Sequence, residues 1–178
     1  YFGATLAAIA VGTAPGYYTS RKDAEIERVQ LLRSYLRASL PTQNLNNRVW
    51  MLWAATKLDG LLSNKEQQQL IKALFDEQHA DGGWNLASLV NSPRVPSAGK
   101  AIEPDGYATG LVVHVLQEAG VDRQDSRTAR GLAWLQAHQL KTGAWRSKSV
   151  NKERNPDTHV GKFMSDAATA FAVLALSH

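Results

Sequence analysis

Arg130-Gly131-Leu132-Ala133-Trp134-Leu135-Gln136-Ala137-His138-Gln139-Leu140-Lys141-Thr142-Gly143-Ala144-Trp145 is the stretch whose reading decides the fold. It reads as the last turns of a helix, a glycine-bearing turn, and a tryptophan just past it. Leu132, Leu135 and Gln139 stand at i, i+3 and i+7, which puts Gln139 on the buried stripe near the helix end. There its side-chain amide can satisfy main-chain groups that the last turn leaves open. Gly143 accepts the positive φ of a tight reversal. Trp145 returns a large flat ring and one N–H against the helix end. The unit is a clasp.

A second clasp precedes it. Phe75-Asp76-Glu77-Gln78-His79-Ala80-Asp81-Gly82-Gly83-Trp84 repeats the order glutamine, glycine, tryptophan. Each is followed by a long loop ending at an aspartate that opens an apolar run: Asp105-Gly106-Tyr107-Ala108-Thr109 after Trp84, and Asp166-Ala167-Ala168-Thr169 after Trp145. Tryptophan and aspartate are displaced by the same roughly sixty residues in both copies, the mark of a repeat architecture.

With these residues in view, the chain resembles the squalene–hopene and oxidosqualene cyclases of the prenyltransferase and squalene cyclase repeat family. The second copy matches their Gln-Trp repeat through Arg130-Gly131, Trp134-Leu135, Gln139 and Gly143-Ala144-Trp145. The first copy is degenerate, with Gln69-Leu70 in place of the Arg-Gly pair and Ala73 in place of the aromatic. The resemblance spans most of the chain and is strongest from Leu70 to Leu176. It implies an α/α toroid, two concentric layers of helices, around a cavity for a polyisoprenoid or other long apolar ligand. The Gly-x-Trp clasp is more specific for that fold than for any activity.

The hydropathy pattern leads to the same fold class. Segments 1–11, 48–58, 105–118 and 165–176 are apolar nearly all round, the character of helices buried on every side. Segments 23–40, 63–75 and 125–139 carry a one-sided stripe, for example Ile26, Val29, Leu32, Leu36 and Leu40. Alternation of the two kinds predicts an all-α fold with an inner and an outer layer. Asn47 is the expected cap of the third helix, and Ser63-Asn64-Lys65-Glu66 reads as a capping box. The helices fall short of a full ring. Residues 1–178 are therefore expected to form a partial ring from the C-terminal part of a longer chain, with upstream sequence completing it.

Composition narrows the function classes. Of 178 residues, 44% are hydrophobic and 20% charged, which excludes wholesale disorder. Lys and Arg number 20 against 16 acids, but they are dispersed and not interleaved with aromatics, so a nucleic-acid partner is not expected. With no cysteine, disulfides, thiolate metal sites and cysteine nucleophiles are excluded. No apolar run reaches the length of a membrane span. Peripheral membrane contact stays open, as does the choice between cytoplasm and periplasm.

Chemistry is expected at few places. Class II terpene cyclases protonate a double bond with an Asp-x-Asp-Asp-Thr-Ala motif, and the nearest approach here is Glu103-Pro104-Asp105-Gly106-Tyr107-Ala108-Thr109, which lacks the paired aspartates. Glu103, Asp105 and Asp166 are the candidate catalytic acids. A carboxylate opening a helix is also explained by capping, which would lower its pKa and make it a poor proton donor. Trp50, Trp53, Tyr107, Phe163 and Phe171 are the candidate ligand-lining aromatics, since such rings stabilise carbocations. Gln78, Trp84, Gln139 and Trp145 are structural clasp residues. Asp157-Thr158-His159 offers two zinc-type ligands without a third, so no metal and no cofactor are expected. Loops 85–104 and 146–165 gather at one mouth of the expected ring. The second carries Arg146, Lys148, Lys152, Arg154 and Lys162, placed either in solvent or against anionic headgroups. The leading reading is apolar-ligand binding. A non-catalytic helical scaffold for protein interaction is the alternative, and a cyclase whose acid lies upstream is the third.

Overall fold

The computed structural model describes residues 1–16, 23–91, 103–152 and 154–178. They form α1 (Phe2–Thr13), α2 (Asp23–Ser39), a 3-10 turn (Leu40–Thr42), α3 (Leu45–Lys57), α4 (Asn64–Asp76), the single turn α5 (Leu86–Leu89), α6 (Gly106–Glu118), α7 (Ser126–Ala137) and α8 (His159–Ser177). The protein is all-α, with no strand among the described residues. The chain divides into two compact units, Tyr1–Lys72 and Ala73–His178. Much of the loop expected at 85–104 lies outside the described residues.

In the first unit α1 packs on α3 and α2. Asn44 caps α3 in place of the expected Asn47. Its Oδ1 accepts from the Asn47 N–H at 3.0 Å, because the helix starts three residues earlier than the apolar run does. The core is Val49, Trp50, Met51, Leu52, Ala54 and Leu58. A β-carbon on Gly12 would lie 2.1 Å from the Lys57 carbonyl oxygen, so only glycine lets α1 approach the end of α3 this closely. The box opening α4 forms as expected. Glu66 accepts from the Ser63 main-chain N–H and hydroxyl, both at 2.7 Å, and these bonds hold its carboxyl below the usual range. One expectation fails. Helix α1 is not sheathed on every side, since only Thr5 and Ala8 are buried while Phe2 is 45% exposed.

The second unit is built on α6, which packs against α8 and α7 and buries Gly106 and every residue from Ala108 to Gln117. A β-carbon on Gly110 would stand 2.6 Å from the Ala172 nitrogen, which shows how closely α8 crosses. Helix α8 offers small residues for burial, Ala168, Ala172 and Ala175 along the helix and Gly161 against Asn155 and Pro156. At its far end the Arg123 guanidinium donates to the carbonyls of Ala175, Leu176 and His178, which the last turn leaves open.

Helix α8 departs from expectation at its start. Thr158 caps it, accepting from the Gly161 N–H at 3.2 Å, so it begins well before the apolar run at 165–176. Asp166 is therefore an exposed mid-helix residue and caps nothing. The longer helix, 19 residues, is by length and composition apolar enough to cross a membrane, although no uninterrupted apolar run is. Only 22% of the apolar window is buried.

Both clasps lie in this unit and have nearly the same geometry. The Trp84 indole donates to the Leu74 carbonyl and the Trp145 indole to the Leu135 carbonyl, each at 2.7 Å and each reaching ten residues back. The Gln78 amide donates to the Gly82 carbonyl and the Gln139 amide to the Gly143 carbonyl, both at 2.9 Å. Gly82 and Gly143 take φ of 97° and 85°, the left-handed region where a side chain is strained. Helix α7 stops at Ala137, so Gln139 lies beyond the helix and exposed instead of on its buried stripe.

Both indoles are buried, at 0% and 2% exposure. Trp84→Ala and Trp145→Ala are each expected to lose roughly 3–5 kcal/mol of stability, the range for truncating a buried aromatic. Denaturant melts measure this, and a midpoint unmoved by either change would contradict the clasp.

Candidate functional site

A tripeptide carries an opening in the second unit where charge, aromatic surface and an enclosed carboxyl meet. Glu103-Pro104-Asp105 runs into α6 beside Trp145-Arg146 and forms one wall of a solvent-open cleft of about 420 Å³. Trp134, His138 and Leu140 form much of the rest. The Trp134 and His138 rings stack at 3.9 Å with 12° between planes, and the Trp134 indole donates to Asp81 at 3.1 Å. Arg146 and Lys148 bring positive charge to the rim, with Lys148 ion-paired to Glu103.

Main-chain bonds fix the wall. The Asp105 N–H donates to the Trp84 carbonyl at 2.9 Å and the Gly106 N–H to the Arg146 carbonyl at 2.8 Å, so both clasps anchor the start of α6. The Asn85 side-chain amide donates to the Glu103 carbonyl. Thr109 and Thr169 complete the repeat. Their hydroxyl oxygens accept from the Trp84 and Trp145 main-chain N–H groups at 3.0 and 3.1 Å. Sequence reasoning quoted both threonines without giving them a role. The signal was present, a threonine shortly after each loop-ending aspartate, but the spacing differs by one residue between the copies.

Asp105 is the central group. Its Oδ1 caps α6 by accepting from Tyr107 and Ala108 N–H groups at 3.1 and 3.0 Å, and its Oδ2 accepts from the Leu86 N–H at 2.9 Å, the first residue of α5. One carboxyl thus staples two helix starts. The expected lowering of its pKa does not follow. Burial outweighs these three bonds and the nearby Lys148 charge, and the carboxyl is pushed up to about 6.

The candidate acids separate. Glu103 and Asp105 share the cleft wall, while Asp166 does not reach it. None of Trp50, Trp53, Tyr107, Phe163 and Phe171 lines this cleft. Trp50 and Trp53 pack together in the first unit with centroids 5.3 Å apart, and Phe2 meets Trp50 edge-on at 4.8 Å. Tyr107 and Phe171 form an edge-to-face pair at 5.5 Å between α6 and α8. Phe163 stands apart on α8, 72% exposed. Among the described residues no group of three or more metal-ligating side chains comes together.

The raised pKa of Asp105 gives a pH dependence of definite sign. The folded state holds this proton more tightly than the unfolded chain, so the stability it contributes is full below about pH 4 and is lost as pH rises through about 6. A shift of this size is worth roughly 3 kcal/mol. Denaturant melts of wild type and Asp105→Asn across this window are expected to diverge, with the variant lacking that loss. Parallel profiles would show that Asp105 does not titrate there.

Comparison with known proteins returns no match: no family model, no curated protein and no solved structure.

Proposed function

We propose that the protein is a squalene-cyclase-like domain of α/α toroid type that binds a polyisoprenoid or another long apolar ligand, without catalysis by the acids described here. The observation that carries the reading is the Tyr107–Phe171 pair. It is half-buried, lies between the most deeply buried helix of its unit and a helix that leaves much apolar surface open, and joins a chain whose doubled clasp resembles the Gln-Trp repeat. Aromatic edges and faces of this kind bind extended hydrocarbon through area burial and polarisable contact. Trp50 and Trp53 offer a comparable pair in the first unit.

Asp105 argues against catalysis. Both its oxygens are taken by main-chain N–H groups, leaving it a staple instead of a donor aimed at a ligand. Glu103 is ion-paired to Lys148, and Asp166 does not line the cleft.

The test is retention of radiolabelled squalene, delivered from cyclodextrin, by the folded protein. Wild type is expected to retain it, and Phe171→Ala with Tyr107→Ala to weaken retention about tenfold, in line with losing part of two aromatic contact areas. Folding of the variant is checked by its melt. No retention by wild type, or equal retention by a folded variant, would remove the proposal.

A further inference from the structure

Three aspartates in the chain stand directly before a glycine, at Asp59-Gly60, Asp81-Gly82 and Asp105-Gly106. An aspartate so placed can close a ring on its own backbone, by attack of the glycine nitrogen on the side-chain Cγ. With no β-carbon beside it that nitrogen is unhindered, and its φ is free to turn. The surroundings rank the three. At Asp105 the reaction is blocked from both sides. The residue is 3% exposed, its Oδ1 accepts from Tyr107 and Ala108 and its Oδ2 from Leu86, and the Gly106 N–H donates to the Arg146 carbonyl at 2.8 Å. Asp81 is at the surface but held. Its two oxygens accept from the Gly83 N–H and the Trp134 indole, both at 3.1 Å, while the Gly82 N–H donates to the His79 carbonyl at 2.9 Å. Gly82 is also buried, and a β-carbon on it would stand 2.6 Å from the Arg130 carbonyl oxygen, so its peptide has no room to swing.

Asp59-Gly60 is free of these restraints. It lies in the turn between α3 and α4, and both residues are exposed. Among the described residues no hydrogen bond or ion pair engages the Asp59 carboxyl or the Gly60 N–H. A β-carbon on Gly60 would meet nothing nearer than the Arg33 side chain at 3.8 Å, so the space around the peptide is open. We propose that Asp59 is a site of spontaneous isoaspartate formation and that the fold confines the modification to it. The Gly60 nitrogen bonds to the Asp59 Cγ, and the carboxyl hydroxyl leaves with the amide proton as water. A second water then opens the succinimide between the nitrogen and the Asp59 main-chain carbonyl carbon. One water is lost and one gained, with nothing oxidised or reduced. The main chain now runs through Cβ and Cγ, one carbon longer, and the former main-chain carbonyl is a free carboxylate that an isoaspartyl carboxyl methyltransferase can esterify with S-adenosylmethionine. The lengthened link falls between Leu58 and Leu61, both at 0% exposure, and the Leu61 carbonyl is where Arg37 of α2 donates at 2.8 Å. The product therefore alters a corner of the first unit's core and is independent of ligand binding in the second.

Ageing the purified 178-residue chain at neutral pH and physiological temperature tests it, with isoaspartate located by peptide mass spectrometry and by methylation with an isoaspartyl carboxyl methyltransferase and labelled S-adenosylmethionine. In the folded chain isoaspartate is expected at Asp59 at least about tenfold faster than at Asp81 or Asp105, since each of those must first give up hydrogen bonds. In denaturant, where the restraints are gone, the three sites are expected to react at comparable rates. Asp59→Glu would have to close a larger ring, and it is expected to lose the signal while its melt stays at the wild-type value, because the Asp59 side chain is exposed. Three results would overturn the proposal: no isoaspartate at Asp59 in the folded chain when the denatured chain forms it, equal rates at the three sites in the folded chain, or a signal that persists in folded Asp59→Glu.

Discussion

The second unit depends on an indole N–H that reaches a carbonyl ten residues back, made at Trp84 to Leu74 and again at Trp145 to Leu135. Carbonyls near a helix C-terminus have lost their i+4 donors, and those of Leu74 and Leu135 take only long i+3 bonds, from the Glu77 and His138 N–H groups at 3.3 and 3.2 Å. The tryptophan adds a shorter second donor and covers the helix end with a large apolar ring in the same move. Each ring then needs room in the next element. A β-carbon on Gly131 would come within 2.9 Å of the Trp84 ring, and one on Gly106 within 2.7 Å of the Trp145 β-carbon. The clasp therefore specifies glycines far from itself in sequence, one in α7 and one at the start of α6.

Asp105 follows from that arrangement. Its own N–H is tied to Trp84 and the next to Arg146, so the start of α6 is drawn between the two clasps and the carboxyl is carried into a buried position. A cap on the surface would be ionised and comfortable. Here the same hydrogen bonds are present, yet desolvation dominates and the group sits near neutrality in its titration. The contrast is Asp125, a partly exposed cap at the head of α7, whose carboxyl is held at about 2 by its bonds to Arg127. The two caps are driven in opposite directions, Asp125 downward by the Arg127 guanidinium and main-chain N–H that bond it, and Asp105 upward by burial.

Depth also marks the limit of what the sequence made legible. The repeat could be read because glycine, glutamine and tryptophan are each required by local geometry, and local geometry leaves a fixed spacing. The all-helical fold could be read from periodicity, and the Ser63–Glu66 box from its own four residues. Helix α8 was misread at its start because Thr158 lies before a stretch holding Lys162 and Asp166, where the apolar pattern is broken although the helix is not. The cleft was partly legible: Glu103 and Asp105 were singled out, but not Pro104, Trp134 or His138, whose meeting depends on how α7 lies against the loop. The lining aromatics were legible as aromatic and not as lining, because spacing says which residues share a face and nothing about what that face meets.

The same distinction explains α1 and α8. Both are apolar nearly all round, and that pattern predicts enclosure; neither is enclosed among the described residues of its unit. What separates them from α6 is side-chain size by face. Helix α6 buries Leu111, Val112, Val113, Val115 and Leu116 together with its glycines, so no apolar face is left over. Helix α8 spends its small residues on the close crossing that Gly110 permits, and this leaves its large ones on the outside. A tight helix crossing on one side thus forces bulk to the other, and hydrophobicity there is a consequence of packing geometry before it is a sign of any partner.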